Sequence, residues 1–274
     1  NYTLAFTDGV TFAITSKSVD GLAIADIAPV TYNGAAQTPE PEVKDGDTPL
    51  VKDTDYTLAY ANNTNVGIAT VTVNGKGNYS GTRDKTFTIN KATVTVTPDA
   101  DQTKVFGGAD PVPLTYTVAG VAAGQTAGFT GKLSRTAGEA VGTYPINQDT
   151  LTLADNGAFQ VSNYTLAFTD GVTFAITSKS VDGLAIADIA PVTYNGAAQT
   201  PEPEVKDGDT PLVKDTDYTL AYANNTNVGI ATVTVNGKGN YSGTRDKTFT
   251  INKATVTVTP DAGQTKVFGG ADPA

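Results

Sequence analysis

IATVTVNG, residues 68–75, decides the fold class. Ala69, Val71 and Val73 alternate with Thr70, Thr72 and Asn74, so one face is apolar and the other polar. A period of two is the pattern of a half-buried strand, and the Asn74-Gly75 pair reads as a turn. The pattern recurs in both directions along the chain. GVTFAIT (9–15) aligns Val10, Phe12 and Ile14, and KTFTIN (85–90) aligns Phe87 and Ile89. ATVTVTP (92–98) aligns Val94 and Val96, and LTYTV (114–118) aligns Leu114, Tyr116 and Val118. Further turn pairs stand at Asp8-Gly9, Asp20-Gly21, Asn33-Gly34 and Asp45-Gly46. These signals predict an all-β protein of antiparallel sheets, each with one buried face. The best helix candidate is 121–129, one or two turns at most, in a stretch whose small residues suit a loop equally. A helix there would make the surrounding module grasp-like, and its absence would make it a plain sandwich.

Residues 163–274 repeat residues 1–112 at an offset of 162, and only two of the 112 aligned positions differ: Asp101 against Gly263, and Val112 against Ala274. The period exceeds the roughly 20–50 residues of a solenoid unit. It divides into two unlike modules. Module A covers 16–90 and again 178–252, and module B covers 91–177. Residues 1–15 repeat the end of B, and residues 253–274 repeat its beginning. Ends that fall inside a module suit a window on a longer array. The alternative is that the two part-modules complement each other between neighbouring chains by strand addition. Separating the twin A modules by an unlike B limits strand swapping during folding.

The joints are short. A passes into B through TFTINKATVTV, without Gly or Pro, and B passes into A through TFAITSKSVDG. A flexible linker would be long and rich in Gly and Ser. Strands running straight from module to module predict a semi-rigid, elongated rod of small β-sandwich or β-grasp-like modules. At strand rise, each module adds roughly 35–40 Å and each AB pair roughly 70–80 Å.

Composition removes whole classes of chemistry. The chain has no Cys, Met, Trp or His. No Ser-His-Asp triad, Cys nucleophile, or His- or Cys-ligated zinc or haem site can be built. The lack of Cys suits either a reduced compartment or exported modules that hold without disulfides. The net charge is −10, and the 18 Lys and Arg are scattered rather than striped, so nucleic acid is not an expected partner. An acidic surface keeps a long chain soluble and weakly self-repelling. No apolar run reaches 18 residues, so no membrane insertion is expected in this segment.

Module A reads VTYNGAAQTPEPEV, then DTDYTLAYANNTNVGIATVTVNGKGNYSGTRDKTFTI. It resembles a β repeat of bacterial surface and wall-associated proteins. The resemblance rests on a Tyr-x-Gly entry (Tyr32, Gly34), an Asp-Tyr-Thr strand (Asp55, Tyr56, Thr57) and a Gly-Lys-Gly-Asn-Tyr-Ser-Gly turn at 75–81. Module B, with KVFGGADPVPLTYTV, FTGKLSRTAGEAVGTYPI and SNYTLAFTDGVTFAIT, resembles the MBG-type domain of bacterial adhesins, a mainly β, grasp-like repeat. That family usually has Tyr where this chain has Phe106. The resemblance implies an exported repeat region on the bacterial cell surface, extracellular and without catalytic residues, which favours the disulfide-free exported reading.

Several residues are candidates for binding chemistry. Asp45, Asp47, Asp53 and Asp55 crowd one turn and are the calcium candidates, although the EF-hand spacing is missing and Lys44 and Lys52 lie alongside. No other cofactor is expected. Asn1, Asn62, Asn78, Asn163, Asn224 and Asn240 begin Asn-x-Ser/Thr sequons, and in such a chain they also serve as turn and strand-end residues. Thr93, Thr95 and Thr97 form a short Thr row that suits either a binding face or an ordinary solvent face. Arg135 and Glu139 are candidates for a loop-pinning ion pair, and Lys91 for an intramolecular crosslink. Tyr32, Tyr56, Tyr60 and Tyr79 are either sugar platforms or core residues.

The expected function is structural: stalk or spacer repeats of a large bacterial surface adhesin that project a distal binding region. The expected partners are other copies of the same array. Two alternatives stay open. The repeats themselves bind glycan or a host cell-surface protein, or the chain is a segment of an extracellular fibre assembled by strand complementation. An enzyme is not expected.

Overall fold

The structure is a computed structural model that describes residues 1–273; Ala274, the last residue of the partial B stretch, lies outside the described residues. Regular structure is almost entirely strand. The helical content among the described residues is three single turns of 3-10 helix, at Val19–Gly21, Val161–Asn163 and Val181–Gly183. No helix among these residues is long and apolar enough to cross a membrane. The chain divides into two compact units. Among the described residues, one holds 1–102, 112–136 and 144–174, and the other holds 103–111, 137–143 and 175–273. The division passes through the stretch read as module B, so each unit contains one A stretch and part of B.

The first A stretch is built on a four-stranded sheet. Strand Gly67–Gly75 pairs antiparallel with Tyr56–Ala61 on one side and with Thr82–Asn90 on the other. Thr82–Asn90 takes the short strand Val30–Thr31 in parallel on its far side. Ala69, Val71 and Val73 are fully buried, as the alternation requires, and Phe87 and Ile89 join them from the neighbouring strand. Burying each Val, Ile or Phe side chain of this set contributes about 1.5–3 kcal/mol. A smaller sheet of Ala23–Ile24, Val43–Asp45 and Thr48–Pro49 closes a second core of Val19, Leu22, Val43, Tyr56 and Val73. Residues 179–252 repeat these pairings.

One turn is displaced from its expected place. Asn74 and Gly75 lie inside the strand Gly67–Gly75, and the chain turns only beyond Lys76, at Gly77 and Asn78. Gly75 is needed for close approach rather than for turning. A Cβ there would fall 2.6 Å from the amide nitrogen of Ser80.

In the B stretch, Ala92–Pro98 is a central strand. It runs antiparallel to Tyr116–Ala119 and parallel to Tyr164–Phe168, so this sheet is mixed rather than purely antiparallel. The long connection between residues 98 and 164 permits the parallel return, which a tight hairpin cannot make. Val94 and Val96 are fully buried and Leu114 is buried, but Val118 is exposed. Strand Gly128–Thr130 pairs with Thr152–Ala154, and Ser134–Arg135 pairs with Gly142–Asn147. Residues 121–129 form no helix: the chain turns at 123–124 and enters the strand Gly128–Thr130. Gly120 and Gly124 have φ of 83° and 76°, in the left-handed region, which a right-handed helix cannot use. Of the two forms left open for B, the helix-bearing grasp is therefore not the one adopted. The segments 1–15 and 253–273 form no strand, and their apolar residues, among them Phe12, Ile14, Val256 and Phe268, are exposed.

Candidate functional site at the module joints

The four calcium candidates are dispersed into local structural contacts. Both carboxylate oxygens of Asp45 accept from Lys17 Nζ at 2.7 Å, and this hydrogen bond holds the Asp45 carboxyl below its ordinary pKa. Asp55 Oδ2 accepts from the Val51 amide at 2.8 Å. Asp53 has φ of 64°, and its carbonyl accepts from Lys76 Nζ at 2.5 Å. Asp47 is exposed beside the turn between Val43–Asp45 and Thr48–Pro49. Among the described residues, no group of three or more His, Cys, Asp or Glu is placed to hold a metal ion.

The other candidates also acquire local roles. Asn62 and Asn224 take left-handed turn conformations, with φ of 54° and 55°. Asn1 lies in the exposed segment 1–15, and the Asn78 carbonyl accepts from the Lys17 amide at 2.9 Å. The Thr row bonds across the parallel ladder, Thr93 to Thr165 at 3.3 Å and Thr97 to Thr169 at 2.8 Å. Tyr56 is buried, and the Tyr60 hydroxyl donates to the Pro39 carbonyl at 2.9 Å. The Arg135 guanidinium lies 5.1 Å from the Tyr144 ring centre and 5.3 Å from that of Phe174. Lys91 is exposed, and the buried lysine is instead Lys104, its side chain 6% exposed. Lys104 Nζ meets Asp110 Oδ1 at 2.8 Å and Glu139 Oε2 at 2.5 Å, and these bonds raise its pKa against the desolvation that would lower it.

What remains is the joint between A and B. Strand Thr82–Asn90 is separated from strand Ala92–Pro98 by Lys91 alone. The pairing of Val30–Thr31 with Ile89–Asn90, and a bond from the Tyr32 amide to the Asn90 carbonyl (2.9 Å), set Tyr32 beside this crossing. Its ring meets Tyr164 edge-on at 5.3 Å, and Tyr164 stacks on Phe159 at 4.4 Å. Such aromatic pairs contribute about 0.5–1.5 kcal/mol beyond their area. A polar relay runs alongside. The Ala122 amide donates to the Tyr164 hydroxyl (3.2 Å), which donates to Gln125 Oε1 (2.8 Å), while Gln125 Nε2 donates to the Tyr32 hydroxyl (2.9 Å). Burial raises the Tyr164 pKa, so the phenol stays a donor.

Asn163 fixes the second edge of this joint. It is buried, accepts from the Val66 amide at 2.9 Å and donates to Asn65 Oδ1 at 3.1 Å. Gly34, with φ of 84°, lets the loop 121–129 settle onto A, because a Cβ there would lie 2.9 Å from that of Ala122. The result is one core. Tyr32, Ala69, Phe87 and Ile89 of A pack with Ala92, Val94, Phe159 and Tyr164 of B. Among the described residues, no buried side-chain polar atom lacks a partner.

A second joint lies in the other unit. Ser178 alone separates strand Thr173–Thr177 from strand Lys179–Ser180. Thr103–Val105 runs parallel to the end of the first strand, and the Phe106 amide donates to the Thr177 carbonyl at 2.8 Å. Phe106 meets Tyr241 edge-on at 5.5 Å, and Asn240 Oδ1 accepts from the Val141 amide at 2.8 Å. The Tyr241 hydroxyl contacts Asp207 at 3.2 Å. Burial, followed by the Asp207 charge, pushes its pKa up to about 12.

The sequence signals named most of these residues but not their use. Tyr32, Gly34, Asn163, Phe106 and the Gly-Asn-Tyr-Ser-Gly turn all stand out in the sequence, as platform, turn, sequon or family motif. Their joint partners lie far away in sequence, Tyr32 from Gln125 by 93 positions and Val141 from Asn240 by 99. Gln125 and Asn65 carried no signal of their own.

Comparison with known families agrees with the resemblance of B. Residues 94–174 match the MBG domain, YGX type. This stretch of 81 residues is similar to the MBG domain, which occurs in surface adhesins. The match does not extend to the A stretches. No curated protein matches the chain.

Proposed function

We propose that the chain is a stalk or spacer segment of an extracellular bacterial adhesin, holding a binding region away from the cell surface. The observation that carries this reading is the joint at Lys91. Strand passes into strand through one residue, and the two modules share a core across it. A hinge would need a solvated linker whose ends move independently. This joint instead fixes both sides with apolar packing and a bonded relay. Tyr32, one of the residues that could serve as a ligand platform, is used in holding A to B. Reach then depends on the number of repeats.

Small-angle scattering of chains with one, two and three AB pairs tests this. The maximum dimension should grow by a constant increment, on the order of 70–80 Å per pair. Growth with the square root of repeat number would refute it, because that is the behaviour of a flexible string.

A further inference from the structure

Residues 178–252 have the same sequence as 16–90, yet one face is covered in the first copy and bare in the second. Tyr32 is 6% exposed and its counterpart Tyr194 is 38% exposed. Val228, the counterpart of Val66, is also exposed. The core at that end of the second copy is reduced to Ala231, Phe249 and Ile251, with Ile189, Val192 and Tyr222 packed partly against it.

We propose that the face of the second A stretch around Tyr194, Gly196, Asn227 and Val228 is a docking surface for an intact B-type module joined at Asn252. The occupant follows from the first copy, where the matching residues meet Ala122, Gln125, Asn163 and Tyr164 of B. Residues 253–260 have the sequence of 91–98, the strand that leads into B in the first copy, although they form no strand here. The bare face keeps its bound form. The Tyr194 amide donates to the Asn252 carbonyl at 2.9 Å, as Tyr32 does to Asn90. The Gln199 amide donates to the Asn225 carbonyl at 2.7 Å, as Gln37 does to Asn63. Gly196 has φ of 81°, close to the 84° of Gly34, with nothing within 4 Å of the position a Cβ would take. A surface already in its bound form loses little freedom on docking. This deepens the spacer reading by giving each A stretch a defined B neighbour, but the contact itself does not depend on that reading.

The test compares the 274-residue chain with one extended after residue 274 by a copy of residues 113–177. Both are nitrated with tetranitromethane and digested with trypsin. Tyr32 and Tyr194 fall in tryptic peptides of one sequence, 18–44 and 180–206, so a single pool reports both copies. In the original chain, one copy of the two should nitrate. In the extended chain, the nitrated share should fall to the background of a covered tyrosine. Gly196→Val, which puts a side chain where B must settle, should restore it. Native-state protection of Lys266 from trypsin reports that the added module has folded. If Lys266 is protected while the pool still nitrates in one copy, the proposal is overturned. It is equally overturned if the added module fails to fold, since the same residues fold beside the first A. Either failure leaves reach per repeat, and with it the spacer reading, to be decided by scattering.

Discussion

Gly34→Ala and Gly196→Ala make the same change in the same local sequence, so their difference isolates the joint. Both place a side chain in the left-handed region, at φ of 84° and 81°. That term is about 1–2 kcal/mol and is common to the two variants. At Gly196 the new methyl meets nothing within 4 Å. At Gly34 it would lie 2.9 Å from the Ala122 Cβ and 3.2 Å from Gln125 Nε2. Carbon atoms pack favourably at about 3.5–4.0 Å, so the loop must retreat by up to an ångström or so. Overpacking of this kind costs about 1–3 kcal/mol. Gly34→Ala should therefore lose that much more stability than Gly196→Ala. In urea denaturation followed by near-ultraviolet circular dichroism, its midpoint should lie lower by about 1 M, given typical slopes. Ala122→Gly added to Gly34→Ala should recover most of the excess, because it removes the other half of the clash. Equal midpoints for the two single variants would refute the assignment of Gly34 to a tight joint.

Three further outcomes follow from the same contacts. Gln125→Leu removes the amide that both tyrosine hydroxyls use, and it should destabilise the unit by about 1–3 kcal/mol in the same denaturation assay while Tyr32→Phe loses less. Tyr241 has its pKa raised to about 12, against about 10 for a free phenol, so it should ionise last in an alkaline absorbance titration. A raised pKa means that the folded state holds the proton more tightly. That stability is fully present below the unfolded phenol's range and is lost as pH rises through about 12, a step that Tyr241→Phe should remove. Brief trypsin digestion should cut after Lys253 and Lys266, in the strand-free segment, well before Lys104, whose side chain is 6% exposed; mass spectrometry of the early fragments reads the order.

The faces of the strands were legible because period-two burial is a local property. Ala69, Val71 and Val73, and likewise Val94 and Val96, are buried as their alternation requires. Strand direction was less legible. Alternation looks the same whether a neighbour runs parallel or antiparallel, so the parallel partnership of Ala92–Pro98 with Tyr164–Phe168 left no mark. Asn74-Gly75 misled because Gly answers two different needs, a turn and a close approach, and here it meets the second. The acidic turn shows the reach of local reading: Asp45 is paired with Lys17, 28 positions earlier, a distance that local charge reading does not span. The joints were the least legible. Tyr32, Asn163 and Phe106 each carry a motif, but what they touch is set by tertiary packing.

The parallel partnership has a consequence under load. B begins with Ala92–Pro98 and, near its end, Tyr164–Phe168 lies beside that strand in five registered pairs, from Ala92 with Tyr164 to Val96 with Phe168. A pull along the chain draws the first strand backwards and the second forwards. Neighbours that point the same way must then slide lengthwise, and the bonds between them are strained together. An antiparallel hairpin pulled at its open end would instead peel, one bond after another. The return of B to its own first strand therefore makes each such module a shear clamp, resisting tension with its whole ladder at once.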